Sequence, residues 1–132
     1  MGDVPSKETK KETKAARIER LKAEKNPWAH LEEILRFAEQ GHEAIPREWL
    51  ETYFRWWGVY TQGDGRGVFG SATPYFMVRI RIPNGLLVSS QLRAIAELAE
   101  RYARGFADIT VRHNIQLHWV RIEDMPDLLF RL

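Results

Sequence analysis

YFMVRIRIPNG at residues 75–85, SSQLRAIAELAERYARG at 89–105 and FADITVRHNIQLHWV at 106–120 are the segments around which this chain is organised. In the first, Phe76, Val78, Ile80 and Ile82 alternate with Met77, Arg79 and Arg81, the period-two pattern of a strand with one buried face. Pro83, Asn84 and Gly85 supply turn chemistry at its end. In the second, Leu92, Ile95, Ala96, Ala99, Tyr102 and Ala103 recur at helical spacing. Ser89 or Ser90 is the expected cap and Gly105 the stop. Glu97 with Arg101 and Glu100 with Arg104 stand four residues apart, the spacing of favourable helix pairs. The third segment reads as a hairpin. The phase that turns its apolar side chains toward a helix pairs Val111 with Ile115, Ile109 with Leu117 and Ala107 with Trp119, across a tip of Arg112, His113 and Asn114. Thr110 then lies beside Gln116, and Asp108 beside His118.

A strand, a crossover helix and two antiparallel strands, followed by a helix start at Asp124 and Pro126, open a split βαβ or ferredoxin-like unit of the α+β class. Its third strand lies between the first and second. Strands about 4.8 Å apart gather Arg79, Arg81, Thr110, Arg112, Gln116 and His118 on one side of the sheet. That side has no helix to cover it. A solvated polar face is the plain reading, common in antiparallel sheets. The functional reading is an anion-binding platform, because guanidinium groups offer carboxylates bidentate donors and little acid lies nearby to neutralise them.

Working outward, residues 1–25 hold eight basic and five acidic side chains and few apolar ones, which reads as a solvated tail or frayed helix. Asn26 and Pro27 signal a helix start. Trp28, Leu31, Ile34, Leu35 and Ala38 then form an apolar stripe, and Gly41 is the stop. Pro46 opens a second helix, apolar around much of its circumference through Trp49, Leu50, Tyr53, Phe54, Trp56 and Trp57, with Gly58 at its end. These two short amphipathic helices, residues 26–59, read as a buttress for something larger. Residues 60–75 carry four glycines and a proline and read as a connection. The GDGRG within it lacks the strand and the Lys-Ser or Lys-Thr of a phosphate loop, and Arg66 is left as a possible reach toward a ligand. Residues 76–132 are the incomplete half-domain.

Composition narrows the function classes. The chain has 132 residues, 44% hydrophobic and 11% aromatic, enough for one modest domain with a packed core. Its net charge of +2 is too mild to argue for a nucleic-acid partner. With no cysteine, the chain by itself builds neither a disulfide scaffold nor a thiolate metal site, and no metal ligand is assigned. No apolar run approaches a membrane span and no signal-peptide core opens the chain, so no membrane is expected and the cytoplasm is the default compartment.

FMVRIRIPNG together with QLRAIAELAERYARGFADITVRHNIQLHWVRIEDMPDLL resembles the N-terminal part of the ferredoxin-dependent nitrite and sulfite reductases, with FRWWGVYTQ as a similar lead-in. The resemblance covers roughly residues 25–132. It implies siroheme coupled to a four-iron four-sulfur cluster, nitrite or sulfite as substrate, and ferredoxin or a similar electron donor. It implies a six-electron reduction to ammonia or sulfide. Arg79 matches an arginine that binds siroheme or its anionic ligand, and Arg112 a second siroheme-contacting arginine. Thr110, Asn114, Gln116 and His118 fall where the family's hairpin lines the cofactor, and Arg81 joins them on the platform. Where relatives often have a second glycine after the proline, this chain has Asn84. The family's cluster cysteines lie downstream, so the resemblance also implies an N-terminal fragment that needs the remainder of the reductase. It leaves the first strand, Phe76 to Ile82, with an open edge, and packing is expected to be loose. Two alternatives stand beside it: a siroheme-type domain of cobalamin biosynthesis, and a non-catalytic ferredoxin-like binding module, for example for RNA, which would need aromatic rings on the free face.

Overall fold

The computed structural model describes residues 11–63 and 73–132. Arg66 lies outside the described residues. The elements run α1 (Lys14–Glu24), a 3-10 turn (Pro27–His30), α2 (Leu31–Gln40), a π-helical turn (Trp49–Tyr53), the short α3 (Phe54–Trp56), β1 (Val59–Thr61), β2 (Tyr75–Arg81), α4 (Ser89–Tyr102), β3 (Asp108–Ile109), β4 (Asn114–Arg121) and α5 (Met125–Arg131). The strands form one antiparallel sheet in the order β1-β2-β4-β3. The last-formed hairpin strand thus lies between its partner and β2, as the split βαβ pattern requires.

Residues 14–24 form a helix, one of the two readings of this charged segment. Thr13 caps it by accepting from the Ala16 amide, and none of its side chains is buried. The Asn26 side chain accepts from the Trp28 amide, as its position before Pro27 predicts. The buried side of the first amphipathic helix is narrower than expected: His30, Ile34 and Phe37 face the core, while Trp28 is exposed. The second helix widens into a π turn, which suits a sequence apolar on most sides, since each residue advances less around the axis.

The core joins Ile34 and Phe37 of α2, Trp49, Leu50 and Phe54 of the second helix, Phe76 and Val78 of β2, Leu117 and Val120 of β4, and Met125 and Leu128 of α5. Phe54 and Phe76 meet with ring centroids 5.3 Å apart. Burying each such ring contributes roughly 1.5–3 kcal/mol.

Four expectations are corrected. The edge of β2 is not open along its first half: Val59, Tyr60 and Thr61 pair with Val78, Met77 and Phe76. A strand therefore lies in the stretch read as a connection, because a β-branched, aromatic, β-branched triplet follows the stop at Gly58. In α4 the N-cap position is Val88, whose amide donates to the Gln91 side chain at 3.1 Å, so neither Ser89 nor Ser90 caps. The buried stripe is Ile95, Leu98, Ala99 and Ala103, with Leu92 and Ala96 outside. Arg101 approaches Asp127 of α5 at 4.0 Å instead of Glu97, and Arg104 stacks on Trp119, 4.3 Å from its ring centroid, instead of pairing with Glu100.

The hairpin is the third correction. Asp108 pairs with Gln116 and Ile109 with Ile115, two positions away from the expected register. The tip is longer because the Thr110 hydroxyl accepts from the Arg112 amide at 3.3 Å and His113 takes a left-handed φ of 58°. A two-residue shift preserves which side each residue faces, yet Ile109 and Val111 at this short outer edge remain 85% and 98% exposed. The fourth concerns Trp119. Between the pairs Phe76–Val120 and Val78–Leu117 the register shifts by one, a bulge that sets Trp119 at φ 65° and hands its core position to Val120.

Candidate functional site

The helix-free face of the sheet collects the polar residues in rows. Tyr60 of β1 sits across from Met77, Arg79 of β2 across from Gln116 of β4, and Gln116 across from Asp108 of β3. One step along, Arg81 pairs with Asn114, whose carbonyl accepts from the Thr110 amide at 3.0 Å.

Arg79 is the centre of this face. Its backbone is pinned by a 2.8 Å bond from its amide to the Gly58 carbonyl, so the end of the second helix sets its height. The guanidinium carbon stands 4.9 Å from the centroid of the Tyr60 ring, a cation–π contact that worth about 0.5–1 kcal/mol holds the fork in place. Its Nε is buried with no hydrogen-bond partner, and Arg79 forms no ion pair among the described residues. A buried cationic donor left unpaired costs on the order of 1–3 kcal/mol, which an anion placed against it would return.

Among the described residues, the one carboxylate on this face is already engaged. His118 brings Nε2 to 2.9 Å from Asp108 Oδ2, and its Nδ1 lies 3.3 Å from the Gln62 side-chain oxygen. Gln62 also accepts from the Trp119 amide at 3.0 Å. Arg81 and Arg112 are exposed and carry no ion pair among the described residues, where Asp108 is the acid that stands on this face with Arg79 and Arg81.

The structure thus brings Arg79, Gln116 and His118 together, with Arg81, Asn114 and Thr110 in the next row. Arg112 sits in the hairpin tip, beyond the paired strands, and Thr110 spends its hydroxyl on that turn. Sequence reasoning missed Tyr60 and Gln62, which β1 carries in from the stretch read as a loop. Their signal was the alternation Val59, Tyr60, Thr61, Gln62 in phase with the strand beyond. Chemically, the arrangement is an open platform of fixed cationic and amide donors with an aromatic ring behind the central one.

Residues 70–132 match the nitrite/sulfite reductase ferredoxin-like half domain. The chain is 42% identical over 121 residues to a ferredoxin–nitrite reductase of Leptolyngbya laminosa, covering 91% of this chain and 22% of that protein. It is 37% identical over 125 residues to a ferredoxin-dependent sulfite reductase of Mycobacterium tuberculosis, covering 86% of this chain and 22% of that protein. The solved structure of the Mycobacterium tuberculosis NirA protein superposes with a TM-score of 0.73 at 35% identity, covering 86% of this chain and 23% of that one. The chain therefore spans about a fifth of the length of the relatives it matches. Among the described residues no helix is long and apolar enough to cross a membrane.

Proposed function

We propose that this chain, whose residues 70–132 match the nitrite/sulfite reductase ferredoxin-like half domain, supplies the siroheme-facing wall of a ferredoxin-dependent nitrite or sulfite reductase. The observation that carries the reading is Arg79: a guanidinium braced by Tyr60 with a buried, unpartnered Nε on an open sheet face. The donor set fits the group. Siroheme is a planar macrocycle rimmed by carboxylates, and the face offers the guanidinium groups of Arg79 and Arg81, with Arg112 at the hairpin tip beside it, the side-chain amides of Asn114 and Gln116, and one engaged acid. Arg79, Arg81 and Arg112 would hold its carboxylates or the bound oxyanion, while Thr110, Asn114, Gln116 and His118 would line its edge. When bound, siroheme coupled to a four-iron four-sulfur cluster would relay the electrons of the ferredoxin-like donor for a six-electron reduction to ammonia or sulfide.

The chain's own share of that chemistry is binding, orientation and charge. Arg79, braced on Tyr60, acts as a fixed cation that stabilises negative charge on the oxyanion without reorganising, and Arg112 adds a second positive charge from the hairpin tip. The cluster's thiolates come from elsewhere in the reductase, since this sequence contains no cysteine. A ferredoxin-like donor and the cytoplasm complete the assignment. The test replaces Arg79 and Arg112 separately with Gln in the complete reductase and measures siroheme content and turnover. Loss of a charge-assisted contact of about 1.5–3 kcal/mol predicts a roughly 10- to 100-fold fall in at least one quantity for each. Unchanged values for both variants would remove the assignment.

A further inference from the structure

The bulge in β4 creates a problem that one side chain solves. At Trp119 the extra residue takes its amide out of the ladder with β2, and the Gln62 side-chain oxygen accepts that amide at 3.0 Å. Gln62 is itself held at both backbone groups: its amide donates to the Tyr75 carbonyl at 3.3 Å, and its carbonyl accepts from the Thr73 hydroxyl. Because a backbone amide only donates, the Gln62 atom facing Trp119 is the oxygen, which settles the orientation of the side-chain amide. The same oxygen lies 3.3 Å from His118 Nδ1.

The geometry points to Gln62 as a positioning residue: it plugs the bulge and thereby fixes both the ring plane of His118 and a proton on Nδ1. Nδ1 faces an acceptor, so it must carry hydrogen to bond. Nε2 faces Asp108 Oδ2 at 2.9 Å across the polar face, and a carboxylate likewise only accepts, so the ring bonds to both neighbours only with a hydrogen on each nitrogen. Sheet strands rarely hold a side chain in one orientation on an uncovered face. Here three of the four strands do so together, through the Gln62 tether from the end of β1, His118 on β4 and Asp108 on β3. For siroheme binding, this inference rests on the proposed function; for the histidine itself, it does not.

The experiment reads the ring nitrogens of His118 by NMR in the full chain labelled with 15N-histidine, assigned with His118→Gln. Wild type is expected to show a protonated Nδ1. Gln62→Glu keeps an oxygen at the same reach and should retain that state. Gln62→Met has the same length and no acceptor, and should leave the hydrogen on Nε2, toward Asp108, with Nδ1 bare; Gln62→Asn, which withdraws the oxygen by one methylene, gives a second reading with less disturbance to packing. A fully protonated Nδ1 persisting in both Gln62→Met and Gln62→Asn overturns the proposal. In the complete reductase, siroheme retention should fall about tenfold in Gln62→Met, the size of one lost hydrogen bond, and recover in Gln62→Glu. A ring that responds as expected with siroheme retention unchanged upholds the positioning role and counts against the siroheme reading instead.

Discussion

The two faces of this sheet are written by alternate residues of the same strands, yet they end in opposite conditions. On one, Phe76, Val78, Leu117 and Val120 are covered by the chain's own helices and are at most 1% exposed. On the other, Arg79, Gln116 and His118 look out from a surface that no helix covers among the described residues, and a cationic nitrogen is buried without a partner. The first face is complete in itself, since its stabilisation comes from contacts already made. The second holds donors in place at a cost that nothing within the described residues offsets. That asymmetry is the structural argument for a binding role, and its terms can be separated by substitution.

The largest effect should come from the finished face. Phe76→Ala removes a ring with no exposure that packs on Phe54, and core Phe truncations cost about 3–5 kcal/mol. A loss of that size in denaturant midpoint is expected, and a loss below about 1 kcal/mol would mean that the face is not a packed core. Next comes the joint between the faces. Gly58 has φ 72°, and a Cβ there would sit 2.9 Å from the Arg79 carbonyl oxygen, a backbone atom that cannot step aside. Gly58→Ala should cost about 1–3 kcal/mol and displace Arg79, visible as altered siroheme content in the complete reductase. Wild-type stability in that variant would show that β1 tolerates a different approach to β2.

Arg79→Met should have a smaller effect on folding. It forfeits the stacking on Tyr60 but also relieves a buried unpaired charge, so the two roughly cancel and stability should change by less than about 1 kcal/mol. Binding alone should suffer. A destabilisation rivalling that of Phe76→Ala would recast Arg79 as part of the core and end the distinction between the faces.

Both faces were readable in the sequence because a strand's period of two survives errors that ruin its register. The hairpin was misplaced by two residues, and Gln116 and His118 still landed beside Arg79's side of the sheet. What could not be read depended on irregularity. Trp119 leaves the core because one extra residue is inserted in β4, and no alternation rule anticipates a bulge. Tyr60 and Gln62 were hidden because three residues of strand are too few to stand out beside a glycine-rich run. The helix stripe was drawn through Leu92 and Ala96 instead of Leu98 because tertiary packing on α5 decides which side turns inward. The placement of the β2 and β4 residues on the polar face was therefore legible, while the residues that brace them from outside were not.

The smallest effect at neutral pH, and the one that sharpens the comparison most, concerns His30. Like Arg79 it has unpartnered nitrogen, here on both ring atoms, but it lies on the covered side at 6% exposure. Trp49, Tyr53 and Trp56 box the ring at centroid distances of 5.1, 4.8 and 6.0 Å. Burial, and then the nearby Lys25 charge, push its pKa below the ordinary histidine range, against a weaker opposing pull from Glu33. The unfolded chain then binds the proton more readily than the folded one. Stability from this site is present in full above the unfolded value, about 6.5, and is lost as pH falls from there through the folded pKa. His42 is shifted the same way by burial, opposed by Glu123 and Glu43, so it adds to the same window. Glu12, Glu33 and Glu51 are shifted downward by Arg20, Lys25 and Arg47 respectively, and their contribution disappears only at lower pH, below the ordinary carboxylate value. His30→Phe should leave stability nearly unchanged at neutral pH and flatten part of its decline as pH falls below about 6.5. Urea midpoints followed by tryptophan fluorescence can measure this, because Trp49 and Trp56 report on the box itself. A decline as steep in His30→Phe as in wild type would show that His30 finds a proton partner after all. A shallower one would show that an unpartnered polar group is kept neutral where the chain closes over it, in contrast to the charged Arg79 on the face left open.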